Sequence, residues 1–319
     1  STMLFSLLNT PAAAARPVPG APVSGIPAVA CLSKRGPHAL REGAARALFG
    51  TAAALSIAAV ALICLFLLAN GVPAMAEIGL PEFLFGTTWR PANDLYGIFP
   101  MIVGSLYVTA GAMIVGVPGG LLTALYLSRF ARGRTGSFLR SGVELLAGIP
   151  SVVYGFFGLV IIVPFVRLLG PGTGLSVLAA SLILGIMILP TVITVAQSAL
   201  DAVPARYYEG ALALGVDHEH AVFKVVAPAA ASGIMAAIVL GLGRAIGETM
   251  AVVMVAGNMP IIPDSLLSGV RTMTANIVME MGYATDLHRE ALIATAVVLF
   301  VFILMINVTF SLLRRKDRA

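Results

Sequence analysis

Arg244 and Glu248 are the residues of this sequence whose types and spacing first suggest chemistry. They stand four positions apart in an otherwise apolar stretch, with no charged residue from 225 to 243 and none from 249 to 263. On a helix, side chains at this spacing lie on one face and reach each other. An ionisable side chain at membrane depth is costly, so such residues usually pair, face a bundle interior or a watery cavity, and serve a transported species. The stretch therefore predicts a charge pair on a transport path, although a purely structural ion pair that fixes helix packing stays open.

Composition excludes the other simple interpretation of this stretch, a core helix of a soluble protein. The 319 residues are 59% hydrophobic and only 11% charged, whereas soluble domains carry about 25% charged residues. Such a chain cannot cover a water-facing surface. It is predicted to be an all-α, polytopic membrane protein.

Six charge-poor stretches predict six membrane-spanning helices, because about 20 residues cross the hydrocarbon core. We expect the third to kink at Pro150 and the fourth to be interrupted at Pro190, since proline removes a backbone hydrogen bond. The predicted spans are residues 47–68, 95–128, 141–166, 175–200, 228–257 and 291–313.

The distribution of basic residues predicts the domain organisation and the orientation. Residues 1–46 are rich in proline, alanine and glycine, with arginine and lysine far outnumbering acids, which predicts a disordered basic tail. Residues 47–98 are expected to hold the first helix and an outer loop, and residues 99–315 a core of five helices. The positive-inside rule places both termini in the cytoplasm.

Charges, cysteines and histidines indicate what the protein does not bind. The net charge of +5 is spread over one side of the membrane and forms no nucleic-acid patch. Cys31 and Cys64 lie in different predicted environments and lack the neighbours of a metal or redox motif. His218 and His220 are two positions apart, so they do not share a helix face. We expect no metal, no cofactor and no nucleic-acid partner.

The most polar internal segment, residues 201–224, contains a motif. Glu209, Gly210 and Ala211 are followed by Gly215 and then, after nine more residues, by Val225, Val226, Ala227 and Pro228. This resembles the EAA loop of ABC importer permeases, whose pattern is Glu-Ala-Ala, three residues, Gly, nine residues and Ile-x-Leu-Pro. The spacing fits throughout. The departures are Gly210 for alanine, Ala227 for leucine and Val225 for isoleucine.

A short helix at about 203–218, ended by Gly215, is predicted to be the coupling helix. An ATPase outside the membrane needs a rigid cytoplasmic element to contact, and a helix between two spans transmits its motion to both. The resemblance assigns this coupling to Glu209, Gly210, Ala211, Gly215 and Pro228. An ordinary amphipathic surface helix is the alternative.

Two longer strings narrow the resemblance. The string GLGRAIGETMAVVMVAGN begins at Gly241 and GVELLAGIPSVVYGFFGLVII begins at Gly142. Together they look like the membrane permeases of phosphate-specific ABC importers, the C-type more closely than the A-type. The resemblance implies a type I ABC importer permease fold in a bacterial inner membrane, in contact with membrane lipid.

The same resemblance implies partners. They are a homologous second permease, two cytoplasmic ATPase subunits and an extracytoplasmic phosphate-binding protein. The chain contains no Gly-x-x-x-x-Gly-Lys-Ser/Thr phosphate loop. We therefore expect it to be a transport subunit that does not hydrolyse ATP itself.

An oxyanion substrate fits the residues at membrane depth. Arginine offers a planar fork of donors that stays ionised when buried, so Arg244 would compensate the charge of phosphate. Glu248 would hold Arg244 in place and keep the empty site near neutral. Ser151 could add a donor beside Pro150, and Glu144, which the resembling string includes, is either a path residue or a partner of Arg140.

Three rival functions stay open at this level. The chain could carry another oxyanion, such as molybdate or sulfate, and only the resemblance argues against this. It could be an ion-driven secondary transporter with Glu248 carrying a proton. Such folds often contain internal repeats, and this sequence shows no clear repeat. It could also be a scaffold or sensor subunit that transports nothing.

Overall fold

Helices form almost all regular structure in the computed structural model of this protein, which describes residues 38–131 and 133–316. A two-stranded antiparallel hairpin separates the second and third helices. The first elements are α1 (His38–Ile78), α2 (Leu80–Phe85), β1 (Trp89–Arg90), β2 (Leu95–Tyr96) and α3 (Phe99–Leu125), which a π-helical turn extends through Tyr126–Phe130.

The remaining helices alternate long and short pieces. Short π-helical turns join α5 to α6 and α9 to α10. They are α4 (Gly133–Gly148), α5 (Ser151–Phe157), α6 (Val163–Arg167), α7 (Val177–Asp201), α8 (Ala205–Ala213), α9 (His218–Ala221), α10 (Ala227–Ala229), α11 (Ala231–Gly247), α12 (Met250–Val255), α13 (Met273–Glu280) and α14 (Asp286–Lys316).

Four of these helices are long and apolar enough to cross a membrane, and two bent pairs bring the number to six if each pair is one span. The single spans are Glu42–Ile78, Phe99–Phe130, Val177–Asp201 and Asp286–Phe310. The predicted all-α membrane architecture is thus confirmed, and the six predicted spans are matched if each bent pair counts as one span. Residues 1–37 of the predicted disordered tail lie outside the described residues, and residues 38–46 open α1.

The prediction of a merely kinked third helix over 141–166 is wrong. The chain turns by 98° between α4 and α5. Pro150 is extended, with φ −60° and ψ 144°, and a residue before proline, here Ile149, is pushed away from helical geometry. Gly148 weakens the last turn of α4 as well. Residues 141–148 therefore belong to a separate helix.

Two further predictions about continuity are wrong in opposite directions. The predicted fifth span, 228–257, bends by 71° before α11 and is broken again between α11 and α12. By contrast, α7 runs without interruption through Pro190. A proline is tolerated in a membrane helix when neighbouring helices and hydroxyl side chains compensate for it. Pro190 is buried, and its carbonyl accepts a hydrogen bond from Thr194.

The centre of the bundle is the parallel contact between α3 and α7. Glycines on α3 let the two backbones approach: Gly111 lies against Ser181, Gly116 against Gly185 and Ile188, and Gly120 against Val192. Small residues at such an interface are typical of membrane helices, which gain their association from close packing. Helix α7 is therefore fixed along its length, and it positions the groups around it.

A second packed region surrounds the hairpin and α13. Its polar centre is the buried carboxylate of Glu280, which accepts hydrogen bonds from Arg271 (2.6 Å) and Trp89 (2.8 Å) and lies 2.9 Å from His288. A buried charge is tolerated when it is paired and hydrogen-bonded. This network fixes α13 against the hairpin and α14.

Candidate functional site

Arg244 lies in the last turn of α11, half-buried, and its guanidinium points toward α7. Its Nη1 donates to Thr191 Oγ1 at 3.2 Å. Its Nε is buried and has no hydrogen-bond partner among the described residues. A buried donor without a partner costs free energy, so this guanidinium is prepared to bind an acceptor.

Glu248 does not pair with Arg244, which overturns the contact that the spacing predicts. Helix α11 ends at Gly247, and Glu248 is extended, with φ −71° and ψ 132°. Its Oε1 accepts from the N–H of Ala251 at 3.1 Å, and its carbonyl accepts from Thr274 Oγ1 at 3.0 Å. Among the described residues the ion pairs involve other side chains. The carboxylate caps the first turn of α12 instead of neutralising the arginine.

Tyr154 lies on α5 and is buried. Its side chain is 5% exposed, and its hydroxyl donates to the carbonyl of Leu146 at 2.8 Å. The neighbouring Gly155 packs directly on Ala251 of α12. Helices α7 and α11 therefore meet at Arg244 through the Thr191 contact, and α5 packs against α7 and α12.

The other two predicted path residues lie apart from this site. Ser151 is the first residue of α5 and is half-buried, but no described contact joins it to Arg244. Glu144 is exposed on α4 and lines a separate cavity of about 250 Å³ together with Arg140. The structure does not gather Arg244, Glu248, Glu144 and Ser151 into one cluster.

A helix is present at the predicted position of the coupling helix, as α8. The motif residues lie on both its exposed face and its buried face. Glu209 and Gly210 are exposed, while Ala211 is 7% exposed and packs inward. Pro228 lies in α10, at the start of the bent fifth span. Whether these residues contact an ATPase stays a prediction.

Gly215 ends α8 by a specific backbone geometry. Its φ is +83°, and its N–H donates to the carbonyl of Leu212 at 2.9 Å. The N–H of Val216 donates to the carbonyl of Ala211 at 3.2 Å. This is the Schellman arrangement, in which a left-handed glycine closes the helix. The predicted stop at Gly215 is confirmed, and its cause is the positive φ.

The two histidines after α8 have separate partners. His218 Nδ1 lies 2.7 Å from Tyr208 Oη, and its ring packs edge-on against Phe130. His220 Nδ1 lies 2.7 Å from Asp217, whose side chain caps α9. These contacts tie the α8 region to the end of α3.

Sequence reasoning missed Thr191, Tyr154 and Thr274. Thr191 carries a detectable signal, because Thr191, Thr194 and Ser198 recur at the spacing of one helix face within an apolar span. Tyr154 and Thr274 carry none, since their contacts join distant parts of the chain.

Comparison with known proteins supports a single family. Residues 116–318 match the family described as the binding-protein-dependent transport system inner membrane component. The chain is 36% identical over 296 residues to the "Probable ABC transporter permease protein YqgH" of Bacillus subtilis, covering 89% of this chain and 95% of that protein. It is 32% identical over 279 residues to the "Phosphate transport system permease protein PstC" of Mesorhizobium japonicum, covering 80% and 85%. For "PstC 1" of Mycobacterium tuberculosis the identity is 33%, and the coverage is 77% and 86%.

Solved structures share the fold. A chain of the MetNI methionine ABC transporter in an inward-facing conformation superimposes with a TM-score of 0.53 and 20% identity, covering 72% of this chain and 99% of that chain. A second crystal form of the same transporter gives a TM-score of 0.52. At this identity the likeness concerns the fold, which is that of type I ABC importer permeases.

Proposed function

The chain belongs to the family of binding-protein-dependent transport system inner membrane components, and we propose that it carries inorganic phosphate into the cytoplasm as one subunit of an ATP-driven importer. Permeases of this family are membrane subunits and not enzymes themselves. Phosphate is supported by the PstC relatives at 32–33% identity, whereas the YqgH relative carries no substrate in its name.

The observation that carries the proposal is the guanidinium of Arg244. It is half-buried in a membrane-spanning segment, it contacts a hydroxyl, and among the described residues no carboxylate is within ion-pair distance of it. A positive charge in a region of low dielectric attracts an anion strongly. An oxyanion offers the acceptors that the free donors of the guanidinium lack.

Thr191 and Tyr154 would shape this site around the anion. The Thr191 hydroxyl, which accepts from Arg244, can also donate to a phosphate oxygen. The Tyr154 hydroxyl is occupied by the Leu146 carbonyl, so that ring acts as a wall. With one arginine and no bidentate pair, binding would be weak enough for the anion to leave.

The proposed importer contains the partners that the family uses. These are a homologous second permease, two cytoplasmic ATPase subunits that contact α8, and a phosphate-binding protein on the opposite face. In this arrangement both termini and α8 lie in the cytoplasm, as the excess of basic residues near α4 and the C-terminus supports. ATP binding would move α8, and α8 would move α7 and α11, which meet at Arg244.

The test is uptake of radiolabelled phosphate by proteoliposomes that contain the complete importer, with ATP inside and binding protein outside. Arg244→Gln should lower the initial rate at least about tenfold, because a hydrogen bond to a charged group contributes about 1.5–3 kcal/mol. Arg167→Gln is the matched control, since it removes the same charge from an exposed position at the end of α6, and it should transport normally.

Each outcome separates a different part of the proposal. Uptake of molybdate or sulfate but no phosphate by the wild type would replace the substrate and keep the importer. Uptake driven by a proton gradient without ATP would replace the importer by a secondary transporter. Normal phosphate uptake by Arg244→Gln would return Arg244 to a structural role.

A further inference from the structure

The C-terminal half of α7 carries a row of polar side chains, of which the site around Arg244 uses only the first. The row has five members, of which three are exposed and two are partly exposed. Before this row α7 is apolar apart from Ser181. We call the row the α7 polar face, and it consists of Thr191, Thr194, Gln197, Ser198 and Asp201.

Helix geometry places these side chains on one side of α7. Steps of three and four residues recur on one face of a helix, and from Thr191 to Asp201 the rise is about 15 Å. The opposite side is buried in the bundle through Val192, Ala196 and Leu200. The polar face therefore points away from the packed core of this chain.

Contact between the α7 polar face and lipid would cost free energy. Helix α7 is one of the four straight membrane-spanning candidates, and ionisable or amide side chains at such depth face a cavity or a protein. Ser198 donates to the carbonyl of Thr194 at 2.8 Å, which leaves its oxygen lone pairs open. The amide of Gln197 has two donors and an acceptor to satisfy. This face must meet water or another protein surface.

Both ends of the polar face reach an arginine. At one end Thr191 accepts from Arg244. At the other end the cavity of about 250 Å³ is lined by Thr194, Gln197, Ser198 and Asp201 together with two residues of α4, Arg140 and Glu144. A continuous polar surface thus joins the arginine of the proposed site to a second arginine near the end of the bundle that carries α8.

We propose that the α7 polar face lines the water-filled inward leg of the transport path, from Arg244 to the Arg140 cavity. Its solute and direction rest on the proposed function. Hydroxyl and amide groups replace part of the hydration shell of the anion along this leg, and Arg140 offers a positive charge at its end. The carboxylates of Glu144 and Asp201 repel the anion there, so that it is released rather than held.

The test replaces single residues of the face by cysteine in the complete importer. In a Cys31→Ser, Cys64→Ser background, Thr194→Cys and Ser198→Cys are introduced separately. Inside-out membrane vesicles are treated with a membrane-impermeant methanethiosulfonate that carries a sulfonate, and the rate of modification is measured with and without phosphate. Leu122→Cys is the matched control.

The control is also exposed and lies at the same depth without belonging to a polar face. Leu122 is 60% exposed on α3. Helices α3 and α7 run parallel, because Gly120 lies beside Val192 and the Ser128 hydroxyl donates a hydrogen bond to Asp201. Leu122 therefore lies level with Thr194. Ser198→Cys changes one oxygen to sulfur, and retained phosphate uptake shows that this variant is folded.

The cysteines on the face should react at least about tenfold faster than Leu122→Cys, because only the thiolate reacts and apolar surroundings suppress it. Phosphate should slow them and leave the control unchanged. Equal rates for all three would mean that a second subunit or lipid seals the face, and would overturn the proposal. Fast modification that no oxyanion slows would overturn it too. Protection by molybdate or sulfate alone would keep the inward leg and reject phosphate as the solute.

Discussion

At the scale of single residues, the separation of Arg244 from Glu248 decides the chemistry. The spacing predicts both residues but not their relation, because the contact requires a continuous helix. The segment between them contains Gly247, a weak helix former, and the Glu248 carboxylate accepts a hydrogen bond from the Ala251 N–H at the start of α12. Glu248 thus makes a local hydrogen bond instead of an ion pair with Arg244. The positive charge of Arg244 is left available to an anion.

This arrangement predicts a difference between two substitutions at Glu248. Glu248→Gln keeps an oxygen for the Ala251 N–H, so phosphate uptake should stay within about twofold of wild type, with only the charge assistance lost. Glu248→Ala removes the cap and should lower the stability of the complex by about 1 kcal/mol. Uptake rates and thermal unfolding of the purified complex measure the two effects.

The opposite result would identify a charge requirement. If Glu248→Gln abolished uptake while Glu248→Ala unfolded at the wild-type temperature, the carboxylate would act through its charge or its proton. That outcome favours the ion-driven transporter over the importer.

At the scale of elements, the sequence predicts where apolar helices occur better than where they break. Charge-free runs locate α7 to within two residues and α14 to within five, since length and hydropathy suffice, whereas α1 begins and ends about ten residues beyond its predicted span. Proline has no single outcome: Pro150 accompanies a 98° turn, whereas Pro118 and Pro190 lie inside unbroken helices. The difference comes from packing, because α3 and α7 support each other along their length and α4 has no buried residue.

The α3–α7 contact predicts that Gly116→Ala destabilises the protein. A Cβ at this position would lie 2.6 Å from Ile188 Cγ1 and 2.7 Å from the carbonyl oxygen of Gly185, and the backbone atom cannot move aside cheaply. We expect a loss of about 1–3 kcal/mol, as for overpacked cores, measured as a lower unfolding temperature in detergent.

Gly119→Ala is the control, three positions along the same helix. Its Cβ would meet only Leu189 Cδ2, at 3.4 Å, and alanine is the better helix former by about 1 kcal/mol. Its unfolding temperature should therefore match or exceed that of the wild type. Equal destabilisation by both alanines would show that the two helices do not pack through Gly116.

At the scale of the whole molecule, the sequence supplies the order of the elements but not the contacts between distant ones. The motif spacing places α8 between the fourth and fifth spans, and α8 is found there. The contact of Thr191 with Arg244 and the bond from Trp89 to Glu280 join residues 53 and 191 positions apart. The local periodicity of the sequence does not predict contacts between residues so far apart. These contacts could be identified only from the three-dimensional structure.

The proposed coupling through α8 predicts that Gly215→Ala separates ATP hydrolysis from phosphate transport. Its Cβ meets no atom within 4 Å, so the substitution acts only by straining the left-handed φ of +83°, at about 1–2 kcal/mol. A loosened Schellman turn lets α8 shift relative to α11, and more ATP should be hydrolysed per phosphate carried. Gly133→Ala imposes the same strain in equally open space at the start of α4, where φ is +61°. It should reduce stability and leave the ATP-to-phosphate ratio unchanged; equal ratios in both variants would remove α8 from the coupling mechanism.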